Sequence, residues 1–203
     1  MVISNYPSVK ESVILNTKRL LLRPWEEEDR EALIKLNKNT QVMHYFPHTL
    51  STQESNILFD RLKNEFQEKN WGIWVVELKK TKSFIGFIGL REVSSSFSFA
   101  PATEILWRLD SVFWGKGYAT EGAIAAMEFG FNILNLQEIV AVTTIQNRRS
   151  IAVMKNLGMI CSAVPFDHPD LPYSHPLRPH WLYRIQSKNW FNLCFVNHLF
   201  DTN

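Results

Sequence analysis

The stretch WGKGYAT, residues 114–120, sets Gly115 and Gly117 around Lys116 just ahead of a run of helix formers. Glycine is costly inside a helix and useful immediately before one, where it takes positive φ and lets a ligand approach the backbone. The unpaired N–H groups of the following first turn, with the helix dipole, favour an anion. Lys116 adds a cation nearby. The chemistry these residue types support is phosphate binding. Two known glycine fingerprints are not met: a P-loop needs G-x-x-x-x-G-K-[ST], and a dinucleotide turn needs a third glycine where Thr120 stands. A tight strand-to-helix turn that holds no ligand is the rival reading.

Other chemistry-bearing groups are sparser. His168, His175 and His180 lie near Asp167 and Asp170, but in a rigid proline-rich segment, and no metal is expected there. Cys161 and Cys194 belong to no C-x-x-C pair, which fits a reducing compartment. The 22 basic and 20 acidic residues give a net charge of +2 with no long single-sign block, so no nucleic-acid footprint is read. No apolar run is long enough for a bilayer, and the first residues lack a signal-peptide pattern. The expectation is a cytoplasmic protein with one domain over residues 1–203.

The elements that must position the turn follow from pattern. Residues 18–25 read as a strand stopped by Pro24, and residues 26–37 as a helix with carboxylates in its first turn. Ser51 and Glu54 form a capping box ahead of a second helix. Residues 71–78 and 84–90 read as an antiparallel hairpin. Residues 103–113 are a fourth strand, ending at Val112 and Phe113, with Glu104 and Leu106 on one face. A helix from Tyr118 carries Ile124, Met127, Phe131 and Leu134 on one stripe. Residues 138–145 are a fifth strand. Residues 147–157 are a helix closed by a left-handed Gly158. Residues 160–166 and 180–186 are the last two strands. The tail, residues 187–203, reads as a docked helix or a partner-binding segment. This order points to an α/β chain with a mixed sheet.

With these elements in place, residues 114–123 (WGKGYATEGA) resemble the acetyl-CoA-binding motif of the GNAT superfamily of N-acetyltransferases. The resemblance runs in order through TKRLLLRPWEEEDREAL, FIGFIGL, TEILWRLDSVFWGKGYATEG and NRRSIAVMKNLGM, over roughly residues 17–186. FDHPDLPYSHPLRPHWLYRI is similar to a closing region of the Rim-type branch, named for ribosomal-protein acetyltransferases. The resemblance implies a twisted mixed sheet of about seven strands flanked by helices, splayed between strands four and five for the cosubstrate. It implies transfer of acetyl from acetyl-CoA to a primary amine, on a protein N-terminus or a small molecule. A non-catalytic acyl-CoA sensor on the same fold is the alternative. No metal and no membrane partner are implied, and a homodimer is left open.

Residue by residue, the resemblance implies that the amides from Trp114 through Gly115, Lys116, Gly117, Tyr118 and Ala119 to Thr120 bind the CoA pyrophosphate. Trp114 departs from the family's usual Gln or Arg, but a backbone donor needs no polar side chain. Val112 would pair with the pantetheine arm like an added strand, and Asn147 would hydrogen-bond it. Glu104 is the candidate base, with a structural or substrate-binding carboxylate as its rival. Ser150 is the first candidate for general acid and Tyr183 the second. Leu106 stands where relatives often carry glycine. His44, Tyr45, Phe46 and Trp74 are candidates for the acceptor pocket, Trp74 equally for the core.

Overall fold

A computed structural model describes residues 6–192 of the chain. They fall into two compact units, one running up to Arg91 and including Ile105–Glu128, the other taking Glu92–Glu104 and the residues from Phe129 onward. Nine strands occur among the described residues. Strands β1 (Leu15–Asn16), β2 (Leu20–Arg23), β3 (Ile73–Leu78) and β4 (Ser83–Glu92) come first. They are followed by β5 (Thr103–Leu109), β6 (Glu138–Thr144), β7 (Ile160–Cys161), β8 (Phe166–Asp167) and β9 (Pro179–Gln186). The helices are α1 (Arg30–Lys38), α2 (Thr52–Lys69), α3 (Tyr118–Asn132) and α4 (Arg148–Asn156).

In the first unit β1, β2, β3 and β4 pair antiparallel in succession, and β5 lies next to β4. The expected hairpin is present, with Trp74 opposite Ile88. Alternating apolar residues put Leu20, Leu22, Val75 and Phe87 inside. Helices α1 and α2 cover one face, where Trp25, Leu33, Phe59, Leu62, Ile73 and Phe87 form one cluster. The expected capping box opens α2: Ser51 Oγ accepts from Glu54 N, and Glu54 Oε2 accepts from Ser51 N at 2.8 Å. A buried network not foreseen from pattern sets the entry to α1. Arg23 donates to both Asp29 oxygens at 2.8 and 2.9 Å and to Glu77 at 3.1 Å. Such a bidentate pair is satisfied on both sides, which is what a buried carboxylate requires. Trp74 is wholly buried against Phe66, with Nε1 donating to Val13 O. It is a core residue, so the acceptor-pocket alternative falls for Trp74.

In the second unit β5 and β6 run parallel with Glu104 opposite Val140, while β9 pairs antiparallel with β6, β7 and β8. The sheet is therefore mixed, as expected. Residues 160–166 do not form one strand. They split into β7 and β8, because Ser162 and the carbonyl of Val164 close a turn between them at 2.9 Å. Asn147 caps α4, and Gly158 takes φ +73° at its end as expected. Residues 187–192 are helical, with Trp190 buried on Phe131. The rest of the tail, including Cys194, lies outside the described residues. No helix among the described residues is long and apolar enough to cross a membrane.

Candidate active site

In the first unit the site is built where β5 ends. Asp110 takes extended φ and ψ and its carboxylate accepts from Val112 N, which starts a single 3₁₀ turn at Ser111–Phe113. The fourth strand thus stops at Leu109, four residues earlier than the sequence pattern suggests. Val112 is not extended: its amide is held by Asp110 and its carbonyl accepts from Lys116 Nζ at 3.0 Å. The strand-like pairing expected of Val112 does not fit that conformation. Trp114 N donates to Ser111 O, and its indole Nε1 donates to Leu109 O at 2.8 Å. The ring packs on the α1–α2 cluster, so Trp114 anchors the turn from below.

Gly115 and Gly117 sit at φ +74° and +79°. A Cβ at Gly115 would meet nothing within 4 Å, and one at Gly117 only the end of Arg19 at 3.3 Å. Conformation, more than room inside the protein, therefore demands glycine here. The first helical bond of α3 runs from Glu121 N to Gly117 O at 3.0 Å. The amides of Tyr118, Ala119 and Thr120 precede it and have no carbonyl four residues back to bond. Amides left over at a helix start, next to glycines at positive φ, are donors suited to an anion.

One contact set missed by sequence reasoning holds this turn in place. Arg19 Nε donates to Glu121 at 2.5 Å, Arg19 NH1 to Lys116 O at 2.8 Å, and the Arg19 guanidinium lies 4.4 Å over the Tyr118 ring. Thr17 Oγ1 also donates to Glu121, at 2.6 Å. Burial pushes the Glu121 carboxyl up, but hydrogen bonds from Thr17 and Arg19 outweigh it and hold it below its usual range. Close packing fixes α3 as well: a Cβ on Gly122 would stand 2.5 Å from Ile88 Cδ1. The only sequence signal for Arg19 was its place in the opening strand motif.

The second unit carries the remaining candidates. Asn147 Oδ1 accepts from Ser150 N at 3.2 Å, and Asn147 Nδ2 donates to Ser150 Oγ at 3.0 Å. The candidate for the cosubstrate arm and the candidate general acid are thus bonded to each other. Ser150 Oγ accepts here, so its own hydrogen is left to donate elsewhere. Tyr183 is buried on β9 beside Cys161; burial, then a hydrogen bond and the charge of Cys161, push its phenol up to about 12. It stays protonated at any working pH. Glu104 is buried on β5. Arg148 and Arg149 are exposed at the start of α4.

His168 and His180 pack ring to ring at 4.8 Å among Phe97 and Phe166. No group of three metal-ligating side chains occurs among the described residues. His180 Nδ1 donates to Arg178 O, and His168 Nδ1 accepts from Asp170 N, so these imidazoles organise the proline-rich loop. Burial, opposed by the Arg178 carbonyl and helped by His168, pulls His180 down to about 4. A depressed histidine stabilises the fold above the unfolded value of about 6.5, and that contribution fades as pH falls toward 4. Urea unfolding at pH 5 should therefore show a loss of at most about 2 kcal/mol relative to pH 7 from this residue. His180→Gln should remove that part of the pH dependence; an unchanged pH slope in the variant would refute it.

Comparison with known proteins identifies the family. Residues 19–160 match the family model for an acetyltransferase (GNAT) domain. The chain is 33% identical over 146 residues to the uncharacterized N-acetyltransferase YnaD of Bacillus subtilis, covering 71% of this chain and 81% of that one. It is 30% identical over 140 residues to the spermidine N(1)-acetyltransferase of Escherichia coli K12, covering 68% and 70%. Among solved structures, a GNAT-family acetyltransferase from Bacillus anthracis superposes with a TM-score of 0.72 at 24% identity, over 87% of this chain and 99% of that one. The protein belongs to the GNAT family and is an acetyl-CoA-dependent N-acetyltransferase that acetylates an amine.

Proposed function

We propose that residues 1–203 act as one Rim-type N-acetyltransferase whose glycine turn holds the CoA pyrophosphate and whose acceptor is a primary amine on a protein N-terminus or a small molecule. The observation that carries the reading is the pair of positive-φ glycines, Gly115 and Gly117, directly ahead of α3, whose first helical bond runs from Glu121 N to Gly117 O and leaves the amides before it without an intrahelical partner. Trp114 contributes through its ring, which supports the turn, since its amide already bonds Ser111. Lys116 is tied to Val112 O and contributes charge at the rim of the turn.

Acetyl-CoA supplies an acetyl thioester. Glu104 takes a proton from the incoming ammonium, directly or through water, because only the free amine is nucleophilic. The amine nitrogen then bonds the acetyl carbon; as the carbon–sulfur bond breaks and its electron pair leaves on sulfur, the nitrogen gives up its second proton to solvent, so that a neutral amide results. Ser150, whose hydroxyl hydrogen is not used by Asn147, returns a proton to that sulfur; Tyr183 is the second donor. Asn147 has a remaining Nδ2 hydrogen for the arm of the cosubstrate.

The test is thiol release from acetyl-CoA against peptides, polyamines, amino acids and aminoglycosides, with product mass to locate the acetyl group. Release with at least one amine is expected. Acetyl-CoA binding with no thiol release from any amine would replace this reading with the acyl-CoA sensor.

A further inference from the structure

Arg108, near the end of β5, is a cation without a counter-charge. Its Cζ lies 4.2 Å from the centre of the Phe46 ring and 5.1 Å from that of Phe87. NH1 donates to Asn37 Oδ1 at 2.6 Å, while Nε is buried with no hydrogen-bond partner. Asn37 is a neutral amide, itself buried and donating to Ser55 Oγ. No carboxylate of the described residues forms an ion pair with Arg108. A guanidinium in apolar surroundings is normally matched by an acid, because an unpaired buried charge is costly. Burial, reinforced by the nearby charge of Arg91, brings Arg108 down to about 10, which leaves it a cation at neutral pH.

The residue is nonetheless only partly covered, and Phe46 beside it is exposed. Two aromatic rings thus flank the planar group, on a side chain that is only partly covered. That is a receptor for a carboxylate, which a guanidinium binds through two parallel hydrogen bonds. Phe46 is also one of the aromatic residues that the sequence names as candidates for the acceptor pocket.

We infer that Arg108, flanked by Phe46 and Phe87, binds a carboxylate of the amine acceptor, so that the substrate is an amine that also carries an acid and not a polyamine. The inference rests on the transferase reading above. A polycation would meet Arg108 with repulsion, whereas the carboxylate of an amino acid or short peptide would neutralise it.

Matched acceptors test this on the wild-type protein: lysine against cadaverine, 6-aminohexanoate against pentylamine, and triglycine against its C-terminal amide. The acid member of each pair should show at least a 10-fold higher kcat/KM. In Arg108→Gln and Arg108→Lys that ratio should fall toward 1, through KM, with circular dichroism and acetyl-CoA affinity as checks of folding. Calorimetry with 6-acetamidohexanoate in the presence of CoA should give an affinity at least 10-fold weaker in Arg108→Gln. Equal turnover of acid and decarboxylated twins by the wild-type protein would overturn the carboxylate site and leave the transferase standing. Arg108-dependent binding of the acid with no thiol release from any amine would do the reverse. A wild-type preference that survives in both variants would also reject Arg108 as its source.

Discussion

Replacing Gly117 with tryptophan is expected to weaken acetyl-CoA binding at least 100-fold while the chain still folds. Gly117 sits at φ +79°, a backbone region that costs an ordinary L-residue about 1–2 kcal/mol. That cost lowers the melting temperature by roughly 2–8 °C in a domain of this size. The Cβ itself would meet only the flexible end of Arg19, so no rigid clash unfolds the protein. The indole, however, would occupy the space in front of the amides of Tyr118, Ala119 and Thr120. Each charge-assisted hydrogen bond to a phosphate is worth about 1.5–3 kcal/mol, so losing two of them accounts for the 100-fold change. Gly115→Ala separates strain from blockage. Its Cβ meets nothing within 4 Å, so it should cost stability but leave affinity within about threefold. Calorimetric titration with acetyl-CoA reads both variants. Native affinity in Gly117→Trp would remove the pyrophosphate from this turn.

The turn was legible because its cause is local. Two glycines followed by a helix-forming run leave the backbone few alternatives, and α3 starts at Tyr118 where the pattern ends. The Ser51–Glu54 box and Gly158 were legible for the same reason. What could not be read came from contacts distant in sequence. Asp110 ends β5 by capping the next turn, an event that the β-branched and aromatic residues after it do not announce. The short β1 is held by pairing with β2, with Leu15 opposite Leu22, and two residues carry no periodicity of their own. The Arg19–Glu121 brace joins residues about a hundred positions apart, and the Arg23–Asp29–Glu77 network combines a neighbour with a residue from another strand. Asn147 and Ser150 could be paired from spacing alone, since N-cap and third helical position always meet. Trp74 shows the opposite case: an aromatic in a β-run gives no sign of whether it will line a pocket or fill a core, and its burial against Phe66 with its indole bonded to Val13 decides it.

Glu104→Gln is expected to reduce kcat/KM by about 10²–10⁴ at pH 7, the usual worth of a positioned general base. Glutamine keeps the shape of the side chain and its capacity to accept a hydrogen bond, so the β5–β6 pairing at Val140 and the affinity for acetyl-CoA should persist. The diagnostic feature is the pH profile. An alkyl ammonium loses its proton near pH 10.4 unaided, so raising the pH supplies the free amine that the base would otherwise make. The deficit of Glu104→Gln should therefore shrink by an order of magnitude or more between pH 7 and pH 10. A carboxylate that only supports the strand or binds the acceptor would give a deficit that does not close as pH rises. Ser150→Ala and Tyr183→Phe give the necessary contrast. A thiolate with an intrinsic value near 8.5 leaves readily without help, so each should cost less than about 10-fold, and neither should be rescued by high pH. A Glu104→Gln deficit that is constant across the profile would end its role as base, and a larger loss in Ser150→Ala would move the chief proton transfer to the departing sulfur.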